Sequence, residues 1–204
     1  MKRTWVGLAV PVVTLSFFFS LGLASQSSPA RAENAFILVG GGLLFPMGDD
    51  DWENIAEASP TVFVRGGGGR LLNPRARLMI EGSFEVTPIS TNFEDNAIFQ
   101  LDLTRFRALI GVRYEQLVSR GVLLALRGGI GIDHLRGELT TPLGSESQDD
   151  TGLALEVGIG PWFSAGSVLM GFELALPVGL HDDDGTFDFR STDLAMVASV
   201  RFRL

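Results

Sequence analysis

The sequence predicts an all-β fold: an eight-stranded antiparallel up-and-down transmembrane β-barrel. Three observations predict it. The segment Leu194–Leu204 alternates without a break, with Leu194, Met196, Ala198, Val200, Phe202 and Leu204 in one phase and Ser199, Arg201 and Arg203 in the other. Side chains along a strand point to opposite faces with period two, so one face of this strand suits hydrocarbon and the other holds charge. The same period recurs in short runs separated by Gly, Pro, Asn and Asp, and no run carries the i, i+3, i+4, i+7 stripe of a long amphipathic helix. The chain also opens as an exported protein does: basic Met1-Lys2-Arg3, an apolar stretch from about Val6 to Ala24, then small residues ending in Ala30-Arg31-Ala32.

Those segments divide the chain into a secretory signal peptide over 1–32 and a barrel over 33–204. No later apolar run reaches the ~18 residues that a spanning helix needs. Cysteine is absent, which excludes a disulfide scaffold, so stability must come from burial and closed backbone hydrogen bonding. Lys2 is the only lysine. Losing the signal peptide removes Lys2, Arg3 and Arg31 and no acid, which moves the net charge from −8 to −11. A protein this acidic is not expected to bind nucleic acid, because phosphate neutralisation needs a basic surface.

Strands are expected at about 35–45, 59–70, 76–87, 98–115, 121–136, 152–164, 167–178 and 191–204. The first two are Gly-rich and less decisive. The third sets Leu78, Ile80, Gly82, Phe84 and Val86 against Glu81, Ser83, Glu85 and Thr87. The fourth sets Phe106, Ala108, Ile110, Val112 and Tyr114 against Arg105, Arg107, Gly111, Arg113 and Glu115. Its start, Phe99, Leu101 and Leu103, has the opposite phase, which predicts a bulge or register break near Thr104. The fifth sets Val122, Leu124, Leu126, Ile130 and Ile132 against Arg127, Gly129, Gly131 and Asp133; the sixth sets Leu153, Leu155, Val157, Ile159 and Phe163 against Glu156, Gly158, Gly160 and Trp162. The seventh sets Val168, Met170, Phe172, Leu174 and Leu176 against Glu173 and Ala175.

Connections are expected to alternate: roughly ten to fifteen residues after strands one, three, five and seven, and roughly three to five after two, four and six, the layout of bacterial outer-membrane barrels. The long ones hold Asp49, Asp50, Asp51, Glu53, Glu94, Asp95, Glu146, Asp149, Asp150, Asp182, Asp183, Asp184 and Asp188, whereas Arg70, Arg75, Arg77 and Arg120 flank the short ones.

Alternation alone does not say which face lies inside, since a soluble lipocalin-like binding barrel alternates too. Three features favour the inverted arrangement of a membrane barrel. The apolar face is nearly free of polar groups on the last four strands. Gly111, Gly129, Gly131, Gly158 and Gly160 fall on the charged face, as suits the narrow interior of eight strands. Arginine without lysine suits forked contacts to carboxylates in a confined space. The expectation is a network in which Glu81, Glu85, Glu156 and Glu173 pair with Arg105, Arg107, Arg113, Arg127, Arg201 and Arg203.

On this pattern the chain resembles the OmpA/OmpX-type family of small outer-membrane β-barrels. Val200, Phe202 and Leu204 resemble the family's C-terminal assembly signal, although the family usually ends in an aromatic residue and this sequence ends in Leu204. The resemblance implies a place in the outer membrane of a Gram-negative envelope. It also implies partnership with outer-membrane lipids, lipopolysaccharide and the assembly machinery, and a structural or interaction role with acidic external loops. A small passive pore and a lipid-modifying enzyme are the alternatives. Eight strands enclose little more than their own side chains, which argues against a wide pore.

No catalytic, cofactor-binding or metal residues are assigned, and no cofactor is expected. Barrel-type lipid A deacylases use a His with a Ser two residues on, but His134 is followed by Leu135-Arg136 and His181 by Asp182-Asp183. Asp149-Asp150 and His181-Asp182 loosely resemble the rim residues of omptin-type proteases, which have ten strands and a longer chain. Both histidines are expected at the rim, in water. The Asp49–Asp51 and Asp182–Asp184 runs offer oxygen ligands for Ca²⁺ or Mg²⁺ without EF-hand spacing, and solvated loops are the plainer expectation. Gly40–Gly42 and Gly66–Gly69 lack the Lys-Ser/Thr of a phosphate loop.

Overall fold

A computed structural model of the chain describes residues 35–47, 52, 56–89, 91, 100–181 and 190–204. The strands are β1 (Phe36–Met47), β2 (Ser59–Asn73), β3 (Ala76–Ile89), β4 (Gln100–Ser119), β5 (Val122–Thr141), β6 (Gly144–Ala165), β7 (Val168–Leu180) and β8 (Arg190–Arg203). Each pairs antiparallel with the next, and β8 returns to β1 to close the barrel. The closing seam sets Leu38 opposite Arg201 and Leu44 opposite Ala195. A barrel has no unpaired edge, so the backbone is satisfied strand to strand.

The chain turns tightly after β2, β4 and β6. Gly121 (φ +80°) and Gly166 (φ +65°) supply the left-handed backbone at two of those turns, which residues with a Cβ adopt only with strain. This is the turn end of the barrel; the connections after β1, β3 and β7 leave from the loop end.

The inverted alternation is realised. Ile80 and Ile110 are 63% and 62% exposed on the outside, while Arg113 and Glu115 are 0% exposed within. The last strand turns Met196, Ala198, Phe202 and Leu204 outward and Ser199 and Arg201 inward, in the predicted phase. Interior glycines make room for large neighbours. A Cβ at Gly171 would collide with the Trp162 indole, and one at Gly179 with Asp133, Ser191 and Arg105.

Two expectations about strands fail. The register does not break near Thr104: β4 runs through that residue in phase against both β3 and β5, and the irregularities lie at Leu71/Asn73 and Leu117/Ser119. Leu103 points inward because an apolar cluster of Trp52, Ala56, Ile89, Leu103 and Leu135 fills the loop end, with Leu101 packed against it. The change of phase in the sequence marks a change in what the interior contains, not a change in the strand.

The connection after β5 is also not a long loop. β5 and β6 continue as a ladder, pairing Gly137 with Gln148 and Thr141 with Gly144, around a turn at Pro142-Leu143. Glu146, Asp149 and Asp150 therefore stand on a strand. Most of this extension is exposed on both faces, so it has no apolar phase from which a strand could be read. The signal-peptide segment 1–32, the acidic runs Asp49–Asp51 and Asp182–Asp184, and Glu53, Glu94, Asp95 and Asp188 lie outside the described residues.

Candidate functional site

The interior is where the chemistry of this chain concentrates. Small residues line the middle of the strands, and long charged residues at measured intervals reach across the barrel to partners on distant strands. At the turn end the hub is Glu173 on β7. Its carboxylate accepts from Arg65 Nη1 on β2 (2.7 Å), Arg113 Nη1 on β4 (2.8 Å) and Arg127 Nε on β5 (2.9 Å). Arg127 also pairs with Glu156 on β6, and Arg65 lies 3.7 Å from the same carboxylate. Glu115 forms a second hub, accepting from Arg113 Nε (2.9 Å) and from both terminal nitrogens of Arg201. Glu81 stands 3.6 Å from Arg113.

Aromatic rings back these guanidiniums. Arg113 lies 4.6 Å from the Trp162 ring centre, Arg65 4.1 Å from that of Phe63, and Arg201 5.2 Å from that of Phe36. Such stacking suits the planar, weakly hydrated guanidinium and not an ammonium. Phe36, Leu38, Met79, Leu123, Trp162 and Leu169 are buried together with the turn-end charges, so the interior has an apolar floor.

The loop-end cluster is built differently. Arg105 Nε donates to both Asp133 oxygens (2.8 and 2.9 Å), and its terminal nitrogens reach Asp193 and Ser191. Arg107 sits 3.6 Å from Glu85, 3.6 Å from Asp133 and 3.7 Å from Asp193, distances too long for direct hydrogen bonds. Trp52, from the β1–β2 connection, is buried in the mouth; its Nε1 donates to Asp193 Oδ1 at 2.8 Å.

His181 is not a rim residue in water. Its side chain is fully enclosed, with Nδ1 2.8 Å from Asp150 Oδ2 and Nε2 3.7 Å from Asp133 Oδ2. It lies on the last inward position of the β7 phase, just past the end of the strand, which carries it into the wall rather than out to solvent. His134 does face outward, half-buried, with Nδ1 2.8 Å from the Thr151 hydroxyl on the neighbouring strand.

The structure pairs the predicted Glu81, Glu85, Glu156 and Glu173 with Arg107, Arg113 and Arg127, whereas Arg105 pairs with Asp133 and Asp193, and Arg201 with Glu115, acids outside the expected network. The Arg203 side chain lies outside the described residues. Sequence reasoning left Arg65, Glu115, Asp133, Asp193, Trp52 and His181 out of the network. Asp193 shares the odd phase of Ser199 and Arg201, a signal that was present; Arg65 stands beside a glycine run that blurs its phase. Among the described residues, no group of three His, Cys, Asp or Glu side chains is placed to hold a metal ion.

No family model and no curated protein matches the chain. Solved structures do. Ail, the attachment invasion locus protein of Yersinia pestis, superposes with a TM-score of 0.57 at 18% identity, over 83% of this chain and 98% of that one. Neisserial surface protein A gives 0.58 at 10% identity, over 83% and 97%. The outer membrane protease OmpT from Escherichia coli gives 0.53 at 8% identity, over 88% and 99%. At these identities the likeness shows the fold, a closed antiparallel β-barrel of the kind found in outer-membrane proteins.

Proposed function

We propose that this chain is an outer-membrane protein with a structural or interaction role, exported by a cleaved signal peptide over 1–32, whose interior is filled and does not conduct. The observation that carries the reading is the inversion: apolar side chains outside, ion-paired charge within. The outward run Val122–Ile132 of β5 is apolar or glycine and gives way to His134 and Arg136. At ~3.4 Å per residue and a ~40° tilt it stands roughly 26 Å tall, close to the apolar band of such barrels. Lipids, lipopolysaccharide and the assembly machinery are the partners this location entails. Ail has been solved with sucrose octasulfate, a heparin analogue. The Asp49–Asp51 and Asp182–Asp184 runs favour neutral or cationic partners over such a polyanion.

A rim hydrolase is the second reading, supported by the His181–Asp150 pair and the likeness to a protease barrel. The enclosed His181 side chain favours a part of the wall over a group that meets substrate, so we propose no catalytic role.

Two measurements test the first reading. In planar bilayers the purified barrel should give no single-channel steps. Phe172→Arg, which sets a guanidinium on a 57% exposed outward site, should destabilise the barrel in lipid by ~2–4 kcal/mol. Stable conductance steps would replace the filled barrel by a pore, and a neutral Phe172→Arg would remove the membrane from the argument.

A further inference from the structure

The turn end of the barrel carries exposed positive charge with no acid beside it. Arg70 near the end of β2, Arg75 in the turn after β2 and Arg120 in the turn after β4 are all exposed. Through residues 69–79, 113–126 and 159–171 the one acid is Glu115, which is 0% exposed and is held inside the barrel by Arg113 and Arg201. Arg77 reaches inward to it at 3.8 Å. Among the described residues, Arg70, Arg75 and Arg120 form no ion pair.

These three arginines stand at the border of the apolar wall. Arg120 is two residues from Val122, where the outward apolar run of β5 begins. Arg70 lies in the outward phase of β2, with Leu72 beyond it toward the turn. Across the ladder it faces Leu78, which in turn faces Tyr114. Leu72, Tyr114, Val118 and Phe163 are 49%, 36%, 64% and 42% exposed, so apolar surface continues down to the turns. On the outward face of β4, Ile110 and Val112 give way to Tyr114, whose hydroxyl donates to Gln116 Oε1 at 2.6 Å. An aromatic ring with a polar tip suits the boundary between hydrocarbon and headgroups.

Backbone bonds fix the turns that present the charge. Leu117 N donates to Arg75 O (2.7 Å) and ties the β2–β3 turn to the end of β4; Ser164 N donates to Gly121 O (2.9 Å) and ties the β4–β5 turn to β6. Asn73 Oδ1 accepts from Arg75 N at 2.8 Å and shapes the first turn. Arg75 and Arg120 therefore flank Leu117–Ser119, the last residues of β4, with Val118 exposed among them.

We propose that this rim is a binding site for an anionic phospholipid, a reading that rests on the membrane location proposed above. Arg75 and Arg120 hold the phosphate from the turns. Arg70 reaches the same headgroup layer from the wall, its stem lying along apolar surface while its charge leaves it. Leu72, Tyr114 and Val118 meet the acyl chains. The forked guanidinium suits phosphate oxygens. A zwitterionic lipid offers the same phosphate but adds an ammonium that a basic rim without acids repels, so charge complementarity selects the anionic headgroup.

The test uses the mature barrel in neutral detergent with equimolar phosphatidylglycerol and phosphatidylcholine of matched chains. In native mass spectrometry, phosphatidylglycerol adducts should exceed phosphatidylcholine adducts at least about fivefold, the factor that one arginine at an anionic surface confers. Replacing all three, Arg70→Gln, Arg75→Gln and Arg120→Gln together, should bring the ratio close to one. Arg136→Gln, at the opposite rim, should leave it unchanged. A wild-type ratio near one overturns the site, as does a preference that survives the triple variant or that Arg136→Gln lowers equally. Insertion into pure phosphatidylcholine vesicles separates this outcome from failure of the membrane reading: a barrel that inserts without lipid preference loses the site alone, and one that does not insert loses both.

Discussion

At the turn end of the barrel, Arg65, Arg113, Arg127 and Arg201 meet Glu81, Glu115, Glu156 and Glu173, and Arg77 stands 3.8 Å from Glu115. At the loop end, Arg105 and Arg107 meet Glu85, Asp133 and Asp193, and His181 lies between Asp133 and Asp150. Both clusters arise in the same way, from inward positions of alternating strands, and both are buried. They differ in balance and in contact. Glu173 takes three direct hydrogen bonds of 2.7–2.9 Å, whereas among the described residues no acid comes nearer to Arg107 than 3.6 Å. A directly bonded cluster has one low-energy arrangement and works as a strut. The loop-end cluster bonds Arg105 directly but leaves Arg107 in longer contacts, so it is held less firmly on that side.

The largest expected effect breaks the strut. Glu173→Gln keeps the shape of the hub and removes the charge that Arg65, Arg113 and Arg127 share. Leaving buried charge uncompensated typically costs ~3–5 kcal/mol, and the urea midpoint of the barrel should fall accordingly. A midpoint within error of the wild type would mean that the remaining acids, Glu81 and Glu156, absorb the loss and that the hub is no hub.

The same chemical change at the loop end should do far less. Glu85 approaches Arg107 only to 3.6 Å and belongs to the cluster with surplus acid. Glu85→Gln removes a charge the cluster does not need, so its effect on stability should stay within about 1 kcal/mol, in either direction. Measured in the same urea titration, a cost equal to that of Glu173→Gln would erase the distinction between the clusters. A gain in stability in Glu85→Gln would sharpen it.

How far the sequence revealed this follows from where its physics is one-sided. β3, β5, β6, β7 and β8 were legible because one face is apolar and the other charged, so period two assigns every residue a side. From that alone Arg107, Arg113, Arg127 and their glutamates were placed together, and Arg105 was placed inside without its aspartate partners. Legibility failed where both faces carry the same kind of residue. The β5–β6 extension is polar on both sides, and Leu103 is an inward apolar residue on an otherwise charged face. It failed again where the decisive partner is distant in the chain. Trp52 and Asp193 are 141 residues apart, and only the register of a closed barrel sets the phase in which they meet. His181 was misjudged because a histidine beside a run of aspartates reads as a loop, and nothing local shows that its own position is the last inward one of β7.

The smallest expected effect bounds the comparison from outside the barrel. Arg136 and Asp149 face each other at 3.9 Å on the β5–β6 extension, with side chains 64% and 58% exposed. They are the same residue types as the interior pairs, on the same two strands, but in water. Exposed pairs gain little, because solvent already stabilises each charge and ordering two long side chains offsets most of the attraction. Arg136→Gln should therefore change the urea midpoint by less than about 0.5 kcal/mol, and raising the salt concentration should shrink even that. Arg127, on the same strand as Arg136, pairs with Glu156 and Glu173 under 4% and 1–2% exposure. If Arg136→Gln and Arg127→Gln proved equally costly, burial would not be what separates an ornamental pair from a structural one here, and the contrast between the two inner clusters would lose its physical basis.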